Sequence, residues 1–261
     1  MHSTNPVLRD KVFQNLPAAA AGERMTINGT VARAGLMLVL MLIAGWWTWN
    51  HFFTAAAAAG TTNPEAFMAA GMAAVSPFLW GGLIVGLVLA LAGSFKPNWS
   101  PITAPLYAIA EGTALGGFSA MFEFQYHGIV LEAVLGSAGV LAVMLALYRT
   151  GIIKVTHKFR MGVLAAMGGI FLLYIAQWVL SSFTHFNMAF VTGGGGTFGI
   201  VFSIAVVCVA ALMLVLDFDL IDRMAEQGAP KYMEWYGAFA LMITLVWLYI
   251  QMLQLLASSR R

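Results

Sequence analysis

The stretch TFGIVFSIAVVCVAALMLVLD, residues 197–217, runs directly into FDLIDRMAEQGAPK, residues 218–231, and its reading decides the fold. The first part is apolar throughout and close to the ~20 residues a helix needs to cross ~30 Å of hydrocarbon. The second part turns polar at once and carries Arg223 and Lys231. Basic residues resist translocation, so this end belongs on the cytoplasmic side. Working outward, six more apolar stretches appear at 33–54, 68–93, 104–124, 129–149, 159–183 and 233–256. With the N-terminus inside, the inner loops collect every lysine and arginine of the chain except Arg260 and Arg261. A missed or extra span would break that alternation downstream, and it does not break. The expectation is seven transmembrane helices, N-in and C-out.

The chain is 61% hydrophobic and 9% charged, whereas a soluble domain carries about 25% charged residues. An all-α polytopic domain over 33–261 therefore follows a polar cytoplasmic tail, 1–32, which lacks the apolar core of a signal peptide. The connections are short, leaving no room for a soluble catalytic domain. The basic residues are scattered over several loops rather than gathered in a stripe, so nucleic acid is not an expected partner. Cys208 is the sole cysteine; it excludes an intrachain disulfide and reads as a small apolar packing residue.

Trp46, Trp47 and Trp49 mark the outer interface, where indoles are enriched. The Ala-rich residues 55–59, with Gly60, Asn63 and Pro64, read as the outer loop after the first span. Pro77 removes a backbone donor inside the second span and can kink it. Gly112 and Gly116 form a G-x-x-x-G face, which lets helix backbones approach closely in lipid. The glycines at 193–196 read as a flexible link, since no strand precedes them and no Lys-Ser/Thr follows.

Function is sought where charge is costly, inside the spans. Glu111 lies about eight residues into the third span, roughly 10–12 Å deep, with no basic residue within a turn. Asp217 closes the sixth apolar run and is the deepest acid of LDFDLIDR. Asp219 and Asp222 share a helical face with Arg223 close by, as a self-paired, solvated helix end would. Glu234 opens the seventh span, where the helix dipole favours an acid. Thr244 lies mid-membrane, and Gln177 can bond another helix. Glu65, Glu123 and Glu132 fall at outer span ends. Ser119, in Gly117-Phe118-Ser119, has no histidine inside a span to serve as its base, so serine protease chemistry is not expected. No H-E-x-x-H is present for zinc. Enzymatic activity and a bound cofactor are therefore not expected.

Four segments carry a family resemblance: SPITAPLYAIAEGTALGGFSAMFE (100–123), GIVLEAVLGSAGVLAVMLALYRTG (128–151), VLDFDLIDR (215–223) and GAPKYMEWYGAFALMITLVWLYIQML (228–253). Together they resemble the bacterial branch of the Bax inhibitor-1/YccA (TMBIM) family. The resemblance implies a seven-helix bundle with the last helix central, in the inner cell membrane. Some members are pH-sensitive calcium leak channels in which aspartates on helices six and seven share a proton, with a basic latch nearby. Asp217 matches the helix-six aspartate. Thr244 stands where the helix-seven aspartate would be, and Lys96 falls near the latch. Glu234 is about ten residues from Thr244, roughly 15 Å along the axis, and is no simple substitute.

Two carboxylates ~4 Å apart repel by about 4 kcal/mol at an effective dielectric of 20, so such a pair holds one shared proton and titrates as a unit. Losing that proton favours a hydrated path and a divalent cation, for which carboxylate oxygens are hard ligands. The expectation is a proton-sensitive cation leak, with calcium as the transported ion, Asp217 as the central carboxylate and Glu111 as its partner. The alternative is a non-conducting regulator that uses its tail to bind a membrane protease or another membrane protein.

Overall fold

The computed structural model describes residues 24–184, 188, 191 and 196–260. The tail before Arg24 and the glycines at 193–195 lie outside the described residues. Among the described residues the chain forms seven helices: α1 (Ile27–Ala58), α2 (Pro64–Phe95), α3 (Ser100–Gln125), α4 (Ile129–Arg149), α5 (His157–Thr184), α6 (Gly196–Glu226) and α7 (Met233–Ser259). A single 3-10 turn, Pro97–Trp99, joins α2 to α3.

Three boundaries differ from the sequence reading. α1 begins at Ile27, inside the stretch read as tail, because Thr26 caps it: its hydroxyl accepts from Gly29 N at 3.0 Å. A hydroxyl at this position satisfies one of the orphan amides of a first turn. At its other end α1 takes in Ala55–Ala58, read as loop, since alanine is the best helix former. α6 runs past Leu216 to Glu226, so the helix end that carries the aspartates extends well beyond the apolar run.

Six helices are long and apolar enough to cross a membrane. α3, 26 residues long, matches them in length but trades bulk for small residues and Glu111. It is enclosed by α1, α2 and α7, so its apolar faces meet protein more than lipid. Lipid-facing positions elsewhere are large and exposed, as at Leu42, Ile43, Ile84, Leu87, Phe171 and Leu172. In hydrocarbon such exposure costs nothing, and helices associate by close packing instead.

α7 is the hub. It packs on α1, α3, α4 and α6, while α2 lies outside α1 and α3, and α5 outside α6. Met37, Met41, Tyr107, Phe239 and Met242 fill the space where α1, α3 and α7 meet. Met144, Leu214, Val215 and Leu248 fill the space among α4, α6 and α7. The G-x-x-x-G face of α3 meets α1: a Cβ on Gly116 would collide with the backbone of Gly45, and one on Gly112 would come within 2.5 Å of the Met41 carbonyl. Pro77 lies inside α2 and Pro105 inside α3. Cys208 is on the exposed face of α6 rather than in a packed interface, so it does not fill the core as the sequence suggested.

Candidate functional site

The polar chemistry of the bundle gathers on α6 and α7. α6 is helical through Asp217, Phe218 and Asp219, so consecutive acids leave it in different directions. Asp217 and Asp219 are buried alike, each 8% exposed. Their partners differ entirely.

Asp219 is held by two cations. Arg160 at the start of α5 donates Nη2 to Oδ2 at 3.0 Å, and Arg223, one turn on, contacts both carboxylate oxygens at 2.8 and 3.0 Å. Asp222 accepts from the Tyr148 hydroxyl of α4 at 2.9 Å. The end of α6 is thus tied to α4 and α5. The sequence reading of a solvated, self-paired end held for Arg223 but missed Arg160 and Tyr148, which arrive from elsewhere in the chain.

Among the described residues Asp217 has no cation. Its side chain points into the α6–α7 interface and is hydrogen-bonded by Thr244 of α7. The other carboxylate oxygen, Oδ2, is buried without a partner. Thr244 is itself buried, with its hydroxyl 3.4 Å from the Ala240 carbonyl one turn back. A single hydroxyl proton faces two acceptors there, so hydrogen bonding around Asp217 is incomplete when its carboxyl group carries no proton.

Glu111 is the second buried carboxylate without a cation. Its Oε2 lies against α2, 2.6 Å from where a Cβ on Gly86 would be, so a side chain there would push the carboxylate aside. Tyr107, one turn earlier, packs edge-on against Phe239 of α7 at 5.1 Å between ring centres. Among the described residues no hydrogen bond or ion pair joins Glu111 to Asp217. The helices that carry them, α3 and α6, each pack on α7, which stands between them. Among the described residues no three His, Cys, Asp or Glu side chains converge as metal ligands would.

Glu234, 1% exposed, does more than cap a dipole. It forms an ion pair with Arg33 of α1 and accepts from the Thr26 amide and the Thr26 hydroxyl, both at 3.0 Å. Gly29 has no side chain because the Glu234 carboxylate occupies that space. Arg33 also donates to the Gly29 carbonyl at 3.0 Å and lies over the Trp235 ring. The Met25 amide adds a bond to the Ala229 carbonyl at 2.7 Å. The entry to α1 is thereby fastened to the α6–α7 turn. Arg33 could have been suspected from the sequence, being an arginine at the very edge of an apolar run.

Lys96 is exposed at the end of α2 and lies 4.3 Å from the centre of the Trp99 ring. It is in none of the ion pairs among the described residues. At the opposite end of the bundle, Arg260 pairs with Glu132 at 2.6 Å, and Glu123 accepts from the amides of Gly128 and Val130. Ser119 shares a hydrogen bond with Tyr249 at 2.7 Å. Gln177 accepts from the Met188 amide at 2.7 Å, bracing the connection after α5.

A family model described as Bax inhibitor 1 like matches residues 5–261, nearly the whole chain. No curated protein and no solved structure matches it.

Proposed function

The chain belongs to the Bax inhibitor 1 like family, and on that premise we propose that it forms a proton-sensitive cation leak, with calcium as its ion, across the inner cell membrane. One observation carries the reading: Asp217 is buried between α6 and α7 with an unpartnered carboxylate oxygen and no cation, while its neighbour Asp219 has two. A buried anion left alone is costly, whereas a neutral acid is not. With its proton, Asp217 can donate to Thr244, which in turn donates to the Ala240 carbonyl, and the interface is satisfied. Without it, the anion must draw in water or a cation. Carboxylate oxygens suit calcium, and Glu111 of α3, a helix that also packs on α7, offers a second carboxylate in the bundle. Arg160 and Arg223 cannot relieve Asp217 without abandoning Asp219.

The sign follows. Raising pH removes the proton and opens the path, so flux rises toward alkaline pH. In proteoliposomes loaded with a calcium indicator, Asp217→Asn keeps the shape and removes the titration. The expected outcome is low flux that no longer changes with pH. A variant whose flux tracks pH as the parent does would reject Asp217 as the sensor.

A second reading has its own support. The segment before α1 is fixed at the α6–α7 turn by the Met25–Ala229 bond and the Glu234 network. The tail therefore starts beside the inner end of α6, well placed to carry a partner such as a membrane protease. Deleting residues 1–23 should then abolish co-purification of that partner and leave ion flux alone.

A further inference from the structure

A cleft opens sideways between α1 and α4. Its floor is α3 and α7 in the outer half and α6 and α7 in the inner half. Two cavities compose it, of about 430 Å³ and about 270 Å³. They share Leu38, Leu141 and Leu245, so one continues into the other. Along α4 the lining extends from Val130 to Arg149, roughly 28 Å at 1.5 Å per residue. That is close to the hydrocarbon thickness of a bilayer. Between its ends the walls are apolar apart from the hydroxyls of Ser119, Ser137 and Tyr249 and the Trp46 and Trp49 indoles in the outer half, and the Thr30 hydroxyl in the inner half.

The inner mouth is different. Tyr148, Arg149 and Asp222 line it together. The Tyr148 hydroxyl donates to Asp222 Oδ2 at 2.9 Å and so holds that carboxylate at the rim. Neither Arg149 nor Asp222 belongs to any ion pair among the described residues. One cation and one anion thus face the end of an apolar trough at the depth where lipid headgroups lie.

We propose that this cleft binds one aminophospholipid of the phosphatidylethanolamine type. Its phosphate rests on the Arg149 guanidinium, its primary ammonium on the Asp222 carboxylate, and an acyl chain lies along Leu38, Leu141 and Leu245. The guanidinium fork matches a phosphate in two directions at once. The ammonium has N–H groups to give a carboxylate that still has acceptor capacity after the tyrosine bond. A phosphatidylglycerol headgroup would satisfy Arg149 and bring a phosphate charge toward Asp222 with no cation to offset it. A choline headgroup carries the positive charge but no N–H.

The test uses the full-length protein, stripped of lipid in mild detergent and offered equal amounts of phosphatidylethanolamine, phosphatidylglycerol and phosphatidylcholine with the same chains. Native mass spectrometry counts what is retained. One phosphatidylethanolamine per chain is expected, preferred roughly fivefold over each competitor, a little under the tenfold that 1.4 kcal/mol represents. Asp222→Asn should bring phosphatidylethanolamine and phosphatidylglycerol to parity without abolishing retention. Arg149→Gln should weaken all three. Gly35 lines the inner cavity, and an added Cβ there meets nothing within 4 Å. Gly35→Leu therefore fills the trough without striking backbone and should expel the lipid whatever its headgroup. Equal retention of the three lipids by the parent protein overturns the proposal, as does an unchanged preference in Asp222→Asn. If Asp222→Asn does not fold, the lipid series on the parent protein and on Gly35→Leu decides alone: retention unaffected by Gly35→Leu places the lipid elsewhere.

Discussion

The inner rim of the bundle and its interior treat acidic side chains in opposite ways. At the rim the acids are answered: buried Asp219 by Arg160 and Arg223, half-buried Asp222 by Tyr148, buried Glu234 by Arg33 and Thr26. In the interior, Asp217 has only a threonine hydroxyl, and Glu111 a glycine gap. The contrast is sharpest between Asp217 and Asp219, one residue apart on the same helix and equally buried. Burial alone does not make a sensor. A carboxylate pinned by two guanidinium groups serves as a rivet. A carboxylate without them changes state when its proton leaves.

The largest effect that would break this contrast is at Glu234. Glu234→Ala strips Arg33 and Thr26 of their partner and unfastens α1 from the α6–α7 turn. Removing one member of a buried ion pair typically costs 3–5 kcal/mol; with Arg33 partly exposed, about 3 kcal/mol is expected, read as a lowered unfolding temperature in detergent. A loss under about 1 kcal/mol would mean that the rim is not riveted there. Next comes Asp219→Asn, which leaves Arg160 and Arg223 facing each other. About 1.5–3 kcal/mol is expected, the range for hydrogen bonds to charged groups. Asp217→Asn, by contrast, should leave the unfolding temperature nearly unchanged while abolishing the pH dependence of flux. Matching stability losses at the two aspartates would erase the distinction drawn between them.

Gly86→Ala asks the same of Glu111. Its methyl group would press on the carboxylate, and overpacking of this kind typically costs 1–3 kcal/mol. If Glu111 belongs to the ion path, calcium flux falls as well; a stability loss with full flux assigns Glu111 to packing only. The smallest effect is at the far end, where Glu132→Gln breaks the half-exposed pair with Arg260. A pair so placed contributes about 0–1 kcal/mol, and thermal unfolding should barely register it.

Much of the fold is legible in the chain because membrane insertion is a one-dimensional problem. Apolar run length gives a span, and the side that collects lysine and arginine gives its direction. Residues 129–149 illustrate this, since the apolar run and α4 coincide. The errors arise where a helix outlasts its apolar run. In DFDLIDRMAE the helical face of Asp219, Asp222 and Arg223 is legible, but Arg160 and Tyr148, which satisfy its acids, come from distant parts of the chain, and no local pattern announces them. Thr26 is a similar case, a cap hidden in a stretch that composition marks only as polar.

The sequence by itself marked a polytopic all-helical chain and the acids that lie inside or at the edge of its apolar runs. Those properties depend on hydrophobic length and on the cost of moving charge across a bilayer, both additive along the chain. Only the tertiary structure decided that Asp219 and Glu234 are rivets, that Asp217 meets Thr244, and that Glu111 lies against Gly86 of α2. Those outcomes depend on which guanidinium or hydroxyl group another helix brings within about 3 Å, the reach of a hydrogen bond.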